Sequence, residues 1–151
     1  MTQARQQAGQ KAGERSPSGA EVITQFLRHS PFVLHLGMRL ESIEPDRARL
    51  AMPYRDELAT IGEVVHGGAL SALVDTAAMA ASWSAHEVEG GQLRGTTVGL
   101  SVDFVAAAQG QEVSADARVI RRGKSLCFCD VDVTDASGGL VAKGIVTYKL
   151  G

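Results

Sequence analysis

The stretch GEVVHGGALSALVDTAAMAASWSAH, Gly62–His86, decides the fold. From Gly67 onward Ala69, Leu70, Ala72, Leu73, Val74, Ala77, Ala78, Met79, Ala80 and Ala81 surround every side of a helix. A helix that is apolar all round is a buried helix, and its many alanines let neighbouring backbone come close. The rest of the chain must therefore supply the cover. One acid, Asp75, sits inside this run, and a His-Gly-Gly turn, His66 to Gly68, opens it.

Downstream the pattern changes to strands. TTVGLSVDFVA, EVSADARVIR, SLCFCDVDVTD and LVAKGIVTYKL are separated by AQGQ, RGK and ASGG. Connections this short predict antiparallel neighbours. Upstream, LGMRLESIEPDRARLAMPY reads as two strands joined at EPD. Before it, AEVITQFLRH places Val22, Ile23, Phe26 and Leu27 at helical spacing, and Pro31 ends that short helix. The predicted order is helix, two strands, buried helix, four strands. The fold class is α+β, a curved antiparallel sheet wrapped around a central helix.

The 151 residues form one domain with room for a real core. A net charge of −2 creates no positive field for nucleic acid or an acidic membrane, and no apolar run approaches the roughly 18 residues a membrane span needs. Residues 1–19 hold no large apolar side chain after Met1 and read as a disordered tail ahead of a domain at 20–151. The tail lacks the apolar stretch of a secretory signal, so a cytoplasmic location is expected. Cys127 and Cys129 share one face of a strand and make poor disulfide partners. They read as packing thiols, and no metal-ligand spacing accompanies them or the four histidines.

Asp75 has no local counter-charge, because no Lys or Arg occurs between Arg55 and Arg94. A carboxylate buried without a partner is costly, and perturbed acids in apolar settings are enriched at functional sites. The alternative is a structural acid bonded to Ser or Thr hydroxyls or to a distant Arg. Two glycines where a helix begins suit close approach to free backbone N–H groups, where negative charge is stabilised. Gly67 and Asp75 are eight residues apart, or about 12 Å along a helix axis, too far for one carbonyl to touch both. If they cooperate, the N–H comes from one subunit and the acid from another, across a twofold dimer.

These segments resemble the hotdog-fold acyl-CoA thioesterases, in particular the phenylacetate-pathway (PaaI-like) group. The resemblance runs from about Ser30 to Leu150, through SPFVLHLGMRLESIEPDRARLAMP, VHGGALSALVDTAAMAAS, LSVDFVAAAQGQEVSADARVIRRGKS and VDVTDASGGLVAKGIVTYK. It implies a helix wrapped in a curved sheet, active sites at dimer interfaces, and dimers that pair into tetramers. It implies that Asp75 acts as general base or nucleophile, that the Gly67 N–H polarises the thioester carbonyl, and that His66 supports the site. Gly68, Thr60 and Ser101 would contact substrate, with a strand serine bonded to a neighbour an equal reading of Ser101; Thr76 and Met79 lie near Asp75 by helical spacing, where lining an acyl pocket and plain core packing are equal readings. Thr60 stands where relatives often carry Asn or Gln, and Glu63 where Gly is common; both departures bear on activity and substrate choice. No cofactor is expected, since coenzyme A belongs to the substrate.

Arg121, Arg122 and Lys124, in RRGKS, form a cationic hairpin turn. Charge alone reads as a solvated turn, while the resemblance places this region near the phosphates of coenzyme A. Two other readings stay open: a non-catalytic acyl-CoA-binding module, and a hydratase or dehydratase, whose catalytic motif is absent.

Overall fold

The computed structural model describes residues 16–88, 90 and 92–151. Most of the expected N-terminal tail, residues 1–15, lies outside them, as do Glu89 and Gly91 of the loop expected after the central helix.

Helix α1, Gly19–His29, starts at a capping box: Ser18 accepts from the Glu21 backbone N–H, and the Glu21 carboxylate accepts from the Ser18 N–H. Gly19 is the first helical residue and is buried, so the packed domain begins before residue 20. Its N–H donates to the His86 carbonyl at 2.8 Å. A Cβ there would lie 1.9 Å from the Trp83 carbonyl oxygen, so only glycine lets α1 meet the end of the central helix this closely. Pro31 ends α1 as expected but opens a second helix, α2, Pro31–Leu36, which the sequence reading lacked. Gly37, at φ 68°, closes it in the left-handed region.

Strands β1, Arg39–Glu44, and β2, Arg47–Met52, are joined at Pro45 and Asp46. A short hairpin absent from the sequence reading follows, β3, Ala59–Ile61, and β4, Val64–Val65. The central helix is α3, Gly67–Ser84. Four long strands complete the chain: β5, Gly95–Phe104; β6, Val113–Arg122; β7, Leu126–Asp135; and β8, Leu140–Leu150. The main sheet is antiparallel in the order β1-β2-β6-β7-β8-β5.

One connection departs from expectation. β5 pairs with β8 at the sheet edge and not with β6, its successor in the chain. Crossing from β5 to β6 means passing two strands, about 14 Å. Residues 105–112 bridge that gap comfortably when extended. They are held on the way: Val105 and Ala106 donate to the Val141 carbonyl, and Ala108 and Gln109 pair with the β3–β4 hairpin.

The sheet curls round α3, and close contact depends on Gly144 at the centre of β8. A Cβ there would stand 2.4 Å from Val74 Cγ1. The helix is not covered on all sides, however. Gly68 is exposed, and Ser71, Ala72, Asp75 and Met79 are only half-buried. Their spacing puts them on one stripe. Beside it, at the sheet edge, Val98, Leu100, Phe104 and Val105 of β5 and the loop after it are exposed. The expectation that the sheet wraps the whole helix therefore needs correcting: within one chain a stripe stays open, and Asp75 lies on it. Among the described residues no helix is long and apolar enough to cross a membrane.

Candidate active site

The N-terminus of α3 disposes of its backbone donors unevenly. His66 is the N-cap, in extended conformation, and its Nδ1 accepts from the Gly68 N–H at 2.8 Å. With Nδ1 accepting, the neutral ring carries its proton on Nε2. The His66 carbonyl accepts from Ala69 and Leu70. That leaves the Gly67 N–H, which has no acceptor among the described residues. It is an unfilled donor at the positive end of an 18-residue helix.

The two glycines serve different ends. A Cβ on Gly67 would meet the Phe104 ring at 3.1 Å, and one on Gly68 would meet His66 Nδ1 at 2.9 Å. The first glycine thus lets an aromatic wall stand against the free N–H. The second makes room for the histidine cap.

Asp75 lies two turns further along the same open stripe. Its Oδ1 accepts from the Thr97 hydroxyl at 2.6 Å, and its Oδ2 has no partner among the described residues. A Thr partner was one of the two structural alternatives open at the sequence level. It ties down one oxygen and leaves the other unengaged. Thr97 pairs with Tyr148 of β8 on the inner face of the sheet, just before a bulge at Gly99. Nothing in GTTVGLSV marked it, because its reach to Asp75 depends on a strand pairing that local sequence does not encode. Phe104 was missed for the same reason.

The other candidates fall into three groups. Met79 follows Asp75 by one turn on the open stripe. Thr60 is exposed on β3, whose hairpin is fixed to the start of α3 by the bond from the His66 N–H to the Leu58 carbonyl. Thr76 is buried and donates to the Ala72 carbonyl of its own helix, and so offers no free proton to a ligand. Ser101 pairs with exposed Ile145, between the buried Gly144 and Val146. It therefore faces away from α3, and one chain does not bring it to Asp75.

In the RRGKS turn, Arg121 and Lys124 are exposed. Arg122 is occupied: Nε and Nη2 donate to Asp46 at 2.9 and 2.6 Å, and Nη2 also donates to the Ser82 carbonyl near the end of α3. Cys127 and Cys129 are free and buried, and burial pushes both thiols up. Among the described residues no three His, Cys, Asp or Glu side chains gather as a metal site would need.

Comparison with known proteins agrees with this architecture. The profile of the "Thioesterase superfamily" matches residues 62–142, more than half of the chain. Acyl-coenzyme A thioesterase 13 of Pongo abelii is 31% identical over 87% of this chain and 93% of its own. The medium/long-chain acyl-CoA thioesterase YigI of Escherichia coli K12 is 26% identical over 83% of this chain and 89% of its own. Among solved structures, the E. coli PaaI protein from the phenylacetic acid degradation operon superposes with a TM-score of 0.75. It is 21% identical, with 89% of this chain and 96% of that one covered. With its antiparallel sheet curled round one long helix, the chain belongs to the thioesterase superfamily and is a hotdog-fold thioester hydrolase.

Proposed function

We propose that the protein is an acyl-CoA thioesterase for aryl or medium-chain thioesters, acting as a homodimer whose two sites each join Asp75 of one chain to Gly67 of the other. One observation carries this reading: a free helix-terminal N–H and a half-engaged carboxylate lie on the same uncovered stripe, about 12 Å apart. Neither can serve one carbonyl with its own chain's partner. A twofold axis beside α3 joins the complementary halves and covers the stripe together with the apolar edge of β5.

In such a site Asp75 Oδ2 takes a proton from water as that water attacks the thioester carbon. Alternatively it attacks the carbon itself and forms a mixed anhydride that water then opens. Negative charge developing on the carbonyl oxygen is met by the Gly67 N–H and the helix terminus. The carbon–sulfur bond breaks, and the coenzyme A thiolate leaves without strong acid assistance. The named acyl-CoA substrates of two relatives support the substrate class. Apolar Met79 and Phe104 beside the two catalytic groups suit an aromatic or aliphatic acyl chain.

Arg121 and Lys124 remain free to meet phosphates of coenzyme A, whereas Arg122 would have to abandon Asp46. Pairing of dimers into tetramers and a cytoplasmic setting complete the proposal; buried free thiols suit that compartment.

The test is thiol release from a panel of aromatic and aliphatic acyl-CoAs by wild type and Asp75→Asn, with the mass of each in solution checked. Loss of roughly 10²- to 10⁴-fold in kcat in a folded, dimeric variant is expected. Equal turnover by both proteins would make Asp75 structural. Binding without turnover by wild type would favour an acyl-CoA-binding module. After single turnover in ¹⁸O-water, label in the Asp75 carboxyl would establish the anhydride route, with water opening the anhydride at the Asp75 carbon; general-base catalysis places the label in the acid product alone.

A further inference from the structure

Tyr148 of β8 is buried at 4% exposure and belongs to none of the catalytic groups above. Its hydroxyl accepts a hydrogen bond from the Trp83 indole Nε1–H at 3.1 Å. Trp83 is fully enclosed near the C-terminal end of α3. The phenol ring lies beneath β5: a Cβ on Gly95 would stand 2.8 Å from both Tyr148 Cε1 and the Tyr148 hydroxyl oxygen. Tyr148 is also the cross-strand partner of Thr97, so their side chains share the inner face of the sheet. Thr97 in turn holds Asp75 at 2.6 Å.

We propose that Tyr148 is a positioning residue for the Thr97–Asp75 pair: pinned at its hydroxyl by Trp83 and wedged under Gly95, it fixes the start of β5 from which Thr97 reaches the carboxylate. The need for such a brace is visible in the strand. Within one chain β5 has a strand neighbour on one side only, and its pairing with β8 slips between Thr97 and Gly99. A bulge adds local twist to its strand, yet a bond of 2.6 Å tolerates little movement. Anchoring by Trp83 ties that edge to the same helix that carries Asp75, so acid and donor move as one body. Burial pushes the Tyr148 phenol up, and the negative charge of Asp75 adds to this while the Trp83 bond opposes it. The phenol therefore stays protonated, and its neighbour's charge reaches it.

This inference rests on Asp75 being the catalytic carboxylate. The test compares kcat and KM of wild type, Tyr148→Phe, Thr97→Val, the double variant and Asp75→Asn, all as the full-length protein. Tyr148→Phe keeps the ring and removes only the anchor. It is expected to lower kcat by roughly 3- to 10-fold with KM within about twofold. In the Thr97→Val background the same change should lower kcat no further, because the group through which it acts is gone. An unchanged kcat in Tyr148→Phe overturns the proposal, and so does a loss that simply multiplies with that of Thr97→Val. Trp83→Phe leaves the hydroxyl unheld and reads the same link from its other end if Tyr148→Phe does not fold. It must show the same loss of kcat, and the same absence of effect beside Thr97→Val. Full activity in Asp75→Asn would instead remove the catalytic reading itself, an outcome distinct from all of these.

Discussion

At the scale of single residues, the site divides its work between atoms that are engaged and atoms that are left free. Asp75 Oδ1 is held by Thr97 while Oδ2 is open, and the Gly68 N–H is taken by His66 while that of Gly67 is open. In the proposed mechanism each engaged atom orients the free one beside it. Thr97→Val should therefore lower kcat by about tenfold, the worth of a hydrogen bond to a charged group at roughly 1.5 kcal/mol, while Thr97→Ser retains most activity. Indifference of kcat to Thr97→Val would sink the orienting role. His66→Ala removes the cap and should lower the stability of the fold by about 1 kcal/mol in urea titration. Asp75, His66 and Gly67 stand out in the sequence as candidates: an acid in an apolar helix, and a His-Gly-Gly turn at a helix start. Thr97 does not. A threonine in a strand is ordinary, and only the pairing of β5 with β8 gives it a task.

At the scale of elements, alternation and turn residues placed all four late strands, and β2, within a residue or two of their observed limits; β1 starts three residues later than expected, because Leu36 belongs to α2. Which strands touch was less legible. The β5–β6 connection is short enough to suggest a hairpin, and its detour past β8 and β7 is fixed by long-range packing. The β3–β4 hairpin is too brief to show a period. Packing of α3 onto the sheet depends on one glycine. In Gly144→Ala the new methyl would collide with Val74 Cγ1, and overpacking of this kind costs about 1–3 kcal/mol. Val74→Ala in the same chain should recover part of that loss, and a neutral Gly144→Ala in urea titration would contradict the close approach.

The outer sheet face is laced with ion pairs. Lys143 reaches Asp130 and Asp132 at 2.6 Å each, and Arg118 also bonds Asp130. Burial alone would raise the Asp130 carboxyl, but the hydrogen bonds and charges of Lys143 and Arg118 hold it below the usual carboxylate value. A depressed folded-state pKa stabilises above the unfolded value, and the gain fades as pH falls through the folded one. The stability gap between wild type and Asp130→Asn should therefore be full at pH 7, begin to shrink as pH falls below about 3.9, and be lost only beneath the lower folded-state value. A gap that does not shrink with acid would assign it to packing.

At the scale of the whole molecule, the proposed site needs a second copy of the chain. A stripe of the central helix is bare, the edge of β5 beside that stripe exposes Val98, Leu100 and Phe104, and the two groups assigned to the chemistry, Gly67 and Asp75, lie at different heights along the helix. Composition could not reveal this, since a helix apolar all round looks the same whether its own sheet or a second copy covers it. The arrangement has a consequence that a one-chain site does not share. Asp75→Asn disables the acid, and Gly67→Val drives a branched side chain into the Phe104 ring, blocking approach to the free N–H. Each variant alone should be inactive. Mixed after unfolding and refolding together, they form heterodimers as about half of all dimers. Each heterodimer has one site with both defects and one site with neither. Activity should then return to about a quarter of the wild-type value. If acid and N–H served within one chain, every site would keep a defect and mixing would restore nothing.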